Sequence, residues 1–524
     1  MIITELPSEL LLDIFSFVTL PVNNNINYYQ IANTNRHYRT LYNCLGLVCK
    51  DWHKQCSPNS KLSGILHNNL CLKVPDNPKS THVMHSERFR AHMRSFSIDV
   101  QKHDTSYIRI LKMMLKENVP LKRLELILLN QELDQNIPES VNIPELVSSF
   151  KTLTALMLQS LKLSDDDFKL IVNGLPELTS INVWSSNRLT SGSLYFLMEK
   201  QSICDNLTQL HIGAFNSLHS INVLDVRRLH KLTSVNFSRC MFTNIMLPSS
   251  IQELNLSFMP LLASHKYLAG LSNLTLLNLK RTVTKQTIMS LYILLENINI
   301  KHLNLSGCYI DDDFCILVIQ RLKNLCSLDL IESTEISSSF MFLSTMNDRL
   351  TTLHIASSVN IERDDLLHIL DTCVSLTDFS CDIMKLDDDV FENIKERGGY
   401  RNIRRLHFYS PMRLSNKGFR SLCCCFPKLR VLNIESFTPR VLDEEGLLYL
   451  RMMPELEEAN LSWFDVFGLT TKALLQAVEG MQHLTMVQLR CLPLGVDLKY
   501  FNQVHPNILI SLYTVDKIYL PRMQ

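Results

Sequence analysis

The chain carries no excess of charge of either sign, with 52 lysines and arginines against 52 aspartates and glutamates in 524 residues. A sequence-independent phosphate-binding surface needs a basic excess, so nucleic acid is not an expected partner. No apolar run approaches the roughly 20 residues of a membrane span, so no membrane partner is expected either. The first 35 residues hold Glu5, Glu9 and Asp13 but no lysine or arginine, the first being Arg36. That is the wrong charge pattern for a secretory signal or a transit peptide. The expected location is cytoplasmic, nuclear or both, with the 15 cysteines as reduced thiols rather than a disulfide framework. The N-x-S triplets at Asn236, Asn255, Asn304 and Asn460 are then incidental.

Catalytic signatures are missing as well. There is no phosphate-cradling Gly-rich loop, no G-x-S-x-G elbow and no H-E-x-x-H. No catalytic residue, cofactor or metal is expected. "CCC" at Cys423 to Cys425 invites a zinc reading, but three adjacent thiols cannot converge on one tetrahedral ion and no matching Cys/His pair is nearby. Core packing is the better account. His82, His85, His92 and His103 read as ordinary surface or polar-core residues.

What is present is a repeat. Hydrophobic residues make up 46% of the chain, enough for a large core, and from about residue 93 they recur as L-x-x-L-x-L. Clear copies begin at Leu153, Leu207, Ile251, Leu274, Ile300, Leu325, Leu350, Ile403 and Leu429, and weaker ones at Met93, Leu121, Leu178, Leu232, Leu376, Leu456 and Leu484. Sixteen copies give a mean period of about 26 residues, inside the leucine-rich-repeat range. Alternation within each copy predicts a short strand with one buried face. Acidic residues then precede an apolar run of helical spacing, as in 163–175, 310–322, 386–394 and 442–450. The triplets Asp165 to Asp167, Asp311 to Asp313 and Asp387 to Asp389 are expected to cap helices rather than to bind calcium or catalyse. Between Leu232 and Leu274 the spacing drops to 19 and then 23, which predicts units with a short or irregular convex segment.

The stretch 93–524 resembles the cysteine-containing subclass of leucine-rich repeats, most closely in "LNLSGCYIDDDF" (Leu303 to Phe314) and in the helix start of "MRLSNKGFRSL" (Met412 to Leu422). The resemblance implies an α/β fold, a curved leucine-rich-repeat solenoid of about 16 repeats with parallel strands on the concave face and helices on the convex one. Terminal units need caps, and residues 61–92 are expected to form a junction and amino-terminal cap.

Ahead of it stands "LPSELLLDIFSFV" (Leu6 to Val18), an apolar face wider than a lone surface helix shows, with Pro7 suited to a first helical position. "LGLVCKDWHKQC" (Leu45 to Cys56) places Leu45, Val48, Cys49 and Trp52 on one side of a second helix. These two segments resemble the opening and closing parts of an F-box, so residues 1–60 are expected to be a short all-α F-box. An Asn-rich surface insertion lies at about 19–44, where the family has a tight connection. The resemblance implies that Leu6, Pro7, Leu10, Ile14, Phe15, Val48, Cys49 and Trp52 bind the Skp adaptor, and through it the cullin and RING subunits of a ubiquitin ligase.

Taking each copy as L-x-x-L-x-L-x, the third, fifth and seventh positions are expected to face solvent on the concave side. Many carry amides, among them Asn182, Asn236, Asn255, Asn278, Asn304, Asn433 and Asn460. The larger candidates for binding a target protein are Trp184, His211, His354, Arg405, His407, Tyr409, Glu435 and Arg490, with Trp463 just past its strand. Aromatic and Arg side chains dominate interface energetics, which favours Trp184, Arg405, Tyr409 and Trp463. The expected function is that of a non-catalytic substrate-recognition subunit of a Skp, cullin, F-box ubiquitin ligase. The alternative is a non-catalytic leucine-rich-repeat scaffold with no ligase link, and an enzyme is the weakest reading.

Overall fold

A computed structural model describes residues 71–74, 95–100, 106–128, 142–161, 163–185, 188–213, 223–259, 266–268, 270–288, 291, 299–333, 336, 349–355, 363–381, 387–409, 414–435, 440–441, 443–461, 464–465, 469–489 and 496–512. The chain divides into two compact units, Met1–Ile251 and Gln252–Gln524. Their boundary falls in the stretch where the repeat spacing shortens.

The first unit contains strands β1 (Cys71–Val74), β2 (Ser95–Val100), β3 (Arg123–Leu128), β4 (Ala155–Gln159), β5 (Ser180–Trp184), β6 (Gln209–Gly213), β7 (Val223–Asp225), β8 (Ser234–Asn236) and β9 (Asn244–Met246). Its helices are α1 (Ser106–Lys116), α2 (Ile143–Ser148), α3 (Asp165–Gly174), α4 (Ser191–Glu199) and α5 (Gln201–Asn206). Strands β1, β2, β3, β4, β5, β6 and β8 pair in that order, all parallel. The register aligns the fourth position of every copy: Leu124, Leu156, Ile181, Leu210 and Val235 stack as one buried column. Parallel strands so paired need a crossover each time, and the helices supply it. Between Leu232 and Ile251, where the spacing is shortest, β9 takes the place of a helix, the irregular segment expected there, and it pairs in parallel with β7 of the repeat before it.

The second unit contains β10 (Glu253–Asn255), β11 (Leu276–Asn278), β12 (His302–Asn304), β13 (Ser327–Asp329), β14 (Thr352–Ile355), β15 (Asp378–Cys381), β16 (Arg405–Tyr409), β17 (Val431–Glu435), β18 (Arg440–Val441), β19 (Glu458–Leu461), β20 (Phe464–Asp465), β21 (Met486–Leu489) and β22 (Leu509–Leu512). Its helices are α6 (Asp312–Arg321), α7 (Arg363–Thr372), α8 (Asp388–Glu396), α9 (Asn416–Cys425), α10 (Glu444–Leu448), α11 (Thr471–Val478) and α12 (Leu498–Val504). Again the ladder is wholly parallel, from β10 to β17 and on through β19, β21 and β22. β18 and β20 pair apart from it. Every one of the sixteen copies forms a ladder strand. β1 and β22, whose sequences are poorer copies, add one strand before the first copy and one after the last.

Two hydrogen-bond series tie neighbouring repeats together. Along the strand starts, a Thr in the second position of the copy donates its hydroxyl to the backbone of the repeat before. Thr179 reaches the Thr154 carbonyl at 3.0 Å, Thr208 that of Thr179 at 3.1 Å, Thr351 that of Cys326 at 3.0 Å and Thr377 that of Thr351 at 3.1 Å. Where Arg404, Arg430 and Glu457 stand in that position, a network of exposed ion pairs centred on Glu455 takes over. Along the helix starts, the acidic residues do cap. Ser164 and Asp167 close a capping box, and Asp311, Asp387 and Asp443 accept from Phe314, Val390 and Gly446 amides. Some also reach the next repeat: Asp165 accepts from the Thr190 amide (2.8 Å) and Asp388 from the Ser415 amide (2.9 Å). Gly418 makes the second link possible, because a Cβ there would sit 1.9 Å from Asp388 Oδ1.

The cysteines follow the packing reading. Cys423 and Cys425 are buried in α9, with burial pushing the Cys425 thiol up to about 12, while half-buried Cys424 lies 3.8 Å from the Met452 sulfur. Among the described residues no group of His, Cys, Asp or Glu is placed to hold a metal ion, and no helix is long and apolar enough to cross a membrane.

Candidate functional site

Third and fifth positions of the copies lie opposite the core and carry the ladder's surface. In the second unit the fifth-position column runs Asn255, Asn278, Asn304, Asp329, His354, Ser380, His407, Asn433 and Asn460. Its first members are already committed. Asn255, Asn278 and Asn304 each accept, through Oδ1, the amide two residues on, at 3.0, 3.0 and 2.9 Å. A short polar side chain at a strand end closes this turn against its own backbone. At three copies the seventh position turns inward: Ser257 and Ser306 are buried, as is Ser238 after Asn236 in the first unit, which corrects for these three the expectation that they face solvent, while Lys280 and Trp184 at the same position are half-buried.

From β13 onward the column changes character. Asp329 still holds the amide of Ile331 (3.2 Å) and also accepts from Asn304 Nδ2 (3.0 Å) and from the Ser306 hydroxyl. On the next strand His354 stands between two carboxylates, Nδ1 at 3.7 Å from Asp329 and Nε2 at 3.3 Å from Asp378. Burial alone would lower the His354 pKa, but hydrogen bonds and charge from Asp329 and Asp378 outweigh it and raise it to about 9. The ring is therefore an imidazolium at neutral pH. Burial pushes Asp329 up, and His354 with the Ser306 hydroxyl and Ile331 amide brings it below the usual carboxylate range.

Two strands on, β16 presents Arg405, exposed, and His407, half-buried. Burial holds His407 below its ordinary value, Asp378 opposing and His354 and Arg405 adding to the effect. Between His354 and His407 in the register lies Ser380, buried, its hydroxyl without a hydrogen-bond partner among the described residues. Asp378 is the register neighbour of Arg405, yet it pairs with His354. Arg405 makes no ion pair or hydrogen bond among the described residues, the one charged side chain on the described ladder face of this unit of which that is true.

The sequence candidates distribute as follows. Arg405, His407 and Tyr409 share one strand at alternate positions, and Tyr409 pairs in register with Glu435 of β17. In the first unit Trp184 is half-buried and lies over Gly213 of the adjacent strand, where a Cβ would come within 2.3 Å of the indole. His211 shares a hydrogen bond of 3.0 Å with the Ser234 hydroxyl. Trp463, Arg490 and the adaptor candidates Leu6, Pro7, Leu10, Ile14, Phe15, Val48, Cys49 and Trp52 lie outside the described residues. Asp329, Asp378 and Ser380 were not among the candidates. Aligning the copies finds them, since "LCSLDL", "LTTLHI", "LTDFSC" and "IRRLHF" read Asp, His, Ser, His at the fifth position and the third of these copies carries Asp378 at its own third position.

No family model matches the chain, and no curated protein matches it. Among solved structures it is similar to that of a TLR13–ssRNA13 complex, at 15% identity and a TM-score of 0.38, over 85% of this chain and 65% of that one. It is also similar to an internalin, InlF, from Listeria monocytogenes, at 15% identity and a TM-score of 0.35, over 70% of this chain and 89% of that one. The chain thus spans 65% of the TLR13 chain's length. By its own parallel ladders, with helices as crossovers between their strands, each unit is an α/β leucine-rich-repeat solenoid.

Proposed function

We propose that this chain is a non-catalytic recognition protein that holds a segment of a partner protein on its ladder face. The observation that carries this reading is the group Asp329, His354, Asp378, Arg405 and His407, set on positions that do no core packing. Selection of a random peptide library on the full chain tests it. Peptides whose binding is lost when Trp184, Arg405 and His407 are together replaced by Ala, and kept when exposed Leu170 and Tyr195 of the helices are, support the reading. The opposite pattern overturns it.

A second, finer reading has its own support in the segments Leu6 to Val18 and Leu45 to Cys56. On it the chain is the substrate receptor of a cullin-RING ubiquitin ligase, docked on the Skp adaptor. Its work would be proximity, raising the concentration of target lysines near a ubiquitin thioester. Co-purification with the Skp adaptor and a cullin, lost in a Leu10→Asp, Trp52→Ala double variant, is the expected result. Failure of the native chain to capture the adaptor leaves the scaffold reading in its place. Cytosol or nucleus is the compartment we infer, in keeping with buried thiols at Cys204 and Cys308 that form no disulfide.

A further inference from the structure

We propose that the patch formed by β14, β15 and β16 recognises an anionic side chain of the partner segment, a carboxylate or a phosphorylated residue, with Arg405 as its anchor. This rests on the reading of the ladder face as the recognition surface and adds the chemistry of what it takes.

The inference follows from which groups are already spoken for. Asp329 accepts from Asn304, Ser306, Ile331 and His354, and Asp378 faces His354. Both carboxylates are thus committed to a cation inside the patch. A basic partner would have to compete with His354 for them. What the patch still offers is donors. Arg405 has its whole guanidinium fork unused among the described residues, and on the neighbouring strand the buried Ser380 hydroxyl has no hydrogen-bond partner among them. A planar fork beside half-buried Val431, its register neighbour on β17, suits the two oxygens of a carboxylate or phosphate.

His354 enters as a positioning residue. Asp378 stands beside Arg405 in the register and would neutralise it if released. By holding Asp378, the imidazolium keeps the guanidinium available. His407 responds to the same ligand. The charged groups facing it are Asp378 from β15, His354 from β14 and Arg405 from its own strand. An arriving anion opposes the two cations, favours the protonated ring and makes binding take up a proton.

The experiment selects a random peptide library on the full chain and measures the winners by fluorescence anisotropy against single variants. The expected winners are rich in Asp and Glu. Arg405→Ala weakens them roughly tenfold or more, the scale of a lost bidentate charge-assisted bond. Asp378→Asn strengthens them, because it removes the competitor for Arg405, and His354→Gln weakens them, with the wild-type pH profile falling as His354 loses its proton near 9. Replacing one Glu of a winner by phosphoserine separates the sources: tighter binding identifies a phosphate, weaker binding a carboxylate. Winners that are neutral or basic but still lost on ladder-face substitution overturn this proposal and leave the recognition reading standing. So does weakening by Asp378→Asn, which would make that carboxylate the contact. Winners indifferent to every ladder-face substitution, or none at all, overturn both.

Discussion

In the second unit, strands β10 to β12 and strands β14 to β16 share one frame and use its fifth position differently. In the first group Asn255, Asn278 and Asn304 fold back on the amide two residues ahead, and each strand is three residues long. In the second group His354, Ser380 and His407 stand there, and the strands run to four or five residues. An asparagine can close a turn against its own backbone where the strand stops, whereas an imidazole lacks that short acceptor and stays on the face. Asp329, between the groups, does both, bonding the Ile331 amide and pairing with His354. One position of a repeat thus serves either the chain's own backbone, where the strand stops after three residues, or the open face, where it runs on.

The sharpest way to break that contrast is to remove a turn-former. Asn304→Ala strips the amide of buried Ser306 of its acceptor and half-buried Asp329 of a donor. A loss of about 3 kcal/mol is expected by denaturant unfolding, the sum of two such bonds with one partner left unsatisfied. Little change would mean that the amide column is decoration and not a closing device.

The next effect belongs to the other group. His354 has its pKa raised in the folded chain from 6.5 to about 9, so the stability it contributes is full below about pH 6.5 and is lost as pH rises towards 9. With about a quarter of the side chain still in solvent (26%), a contribution on the order of 2 kcal/mol is expected. Stability of the native chain minus that of His354→Gln, measured from pH 6 to 9, should shrink across that window. A constant difference would place the value of His354 in packing instead of charge.

A smaller test concerns the edge where the strands begin. Thr351→Val removes a hydroxyl from the Cys326 carbonyl and should cost about 1 kcal/mol at any salt concentration. Arg404→Met, in the same position two repeats on, removes an exposed ion pair with Glu455 and a hydrogen bond to the Lys428 carbonyl, and should cost less than about 1 kcal/mol, falling further as salt is added. Equal, salt-independent losses would show that the two kinds of link do the same work.

How much of this was legible depends on whether a feature repeats. The strands, their parallel order and the capping acids were readable because the same residue types return about every 26 residues, and a period survives the noise of any one copy. Trp184, Arg405 and His407 were nameable from their place in a copy. Less visible was whether a polar residue on the face is spent: Asn278 and Asn433 look alike in sequence, and the backbone bond of Asn278 follows from where its strand stops. Asp329 and Asp378 were passed over because each is ordinary within its own copy. Their meaning comes from His354 in the copy between them, a relation across strands that appears only when the repeats are set in register.

Arg405 supplies the smallest expected change in stability and the clearest reading of the contrast. Its side chain is exposed and unpaired among the described residues, so Arg405→Ala should leave stability within about 0.5 kcal/mol of the native chain, the ordinary range for a surface site. The same substitution is expected to weaken an acidic peptide, whereas Asn304→Ala lowers stability without removing a donor from the patch. Unfolding and anisotropy measured on both variants therefore separate the two uses of the frame. If Arg405→Ala lowers stability as much as Asn304→Ala, Arg405 is tied into the fold after all, and its side chain on β16 is not open to a partner.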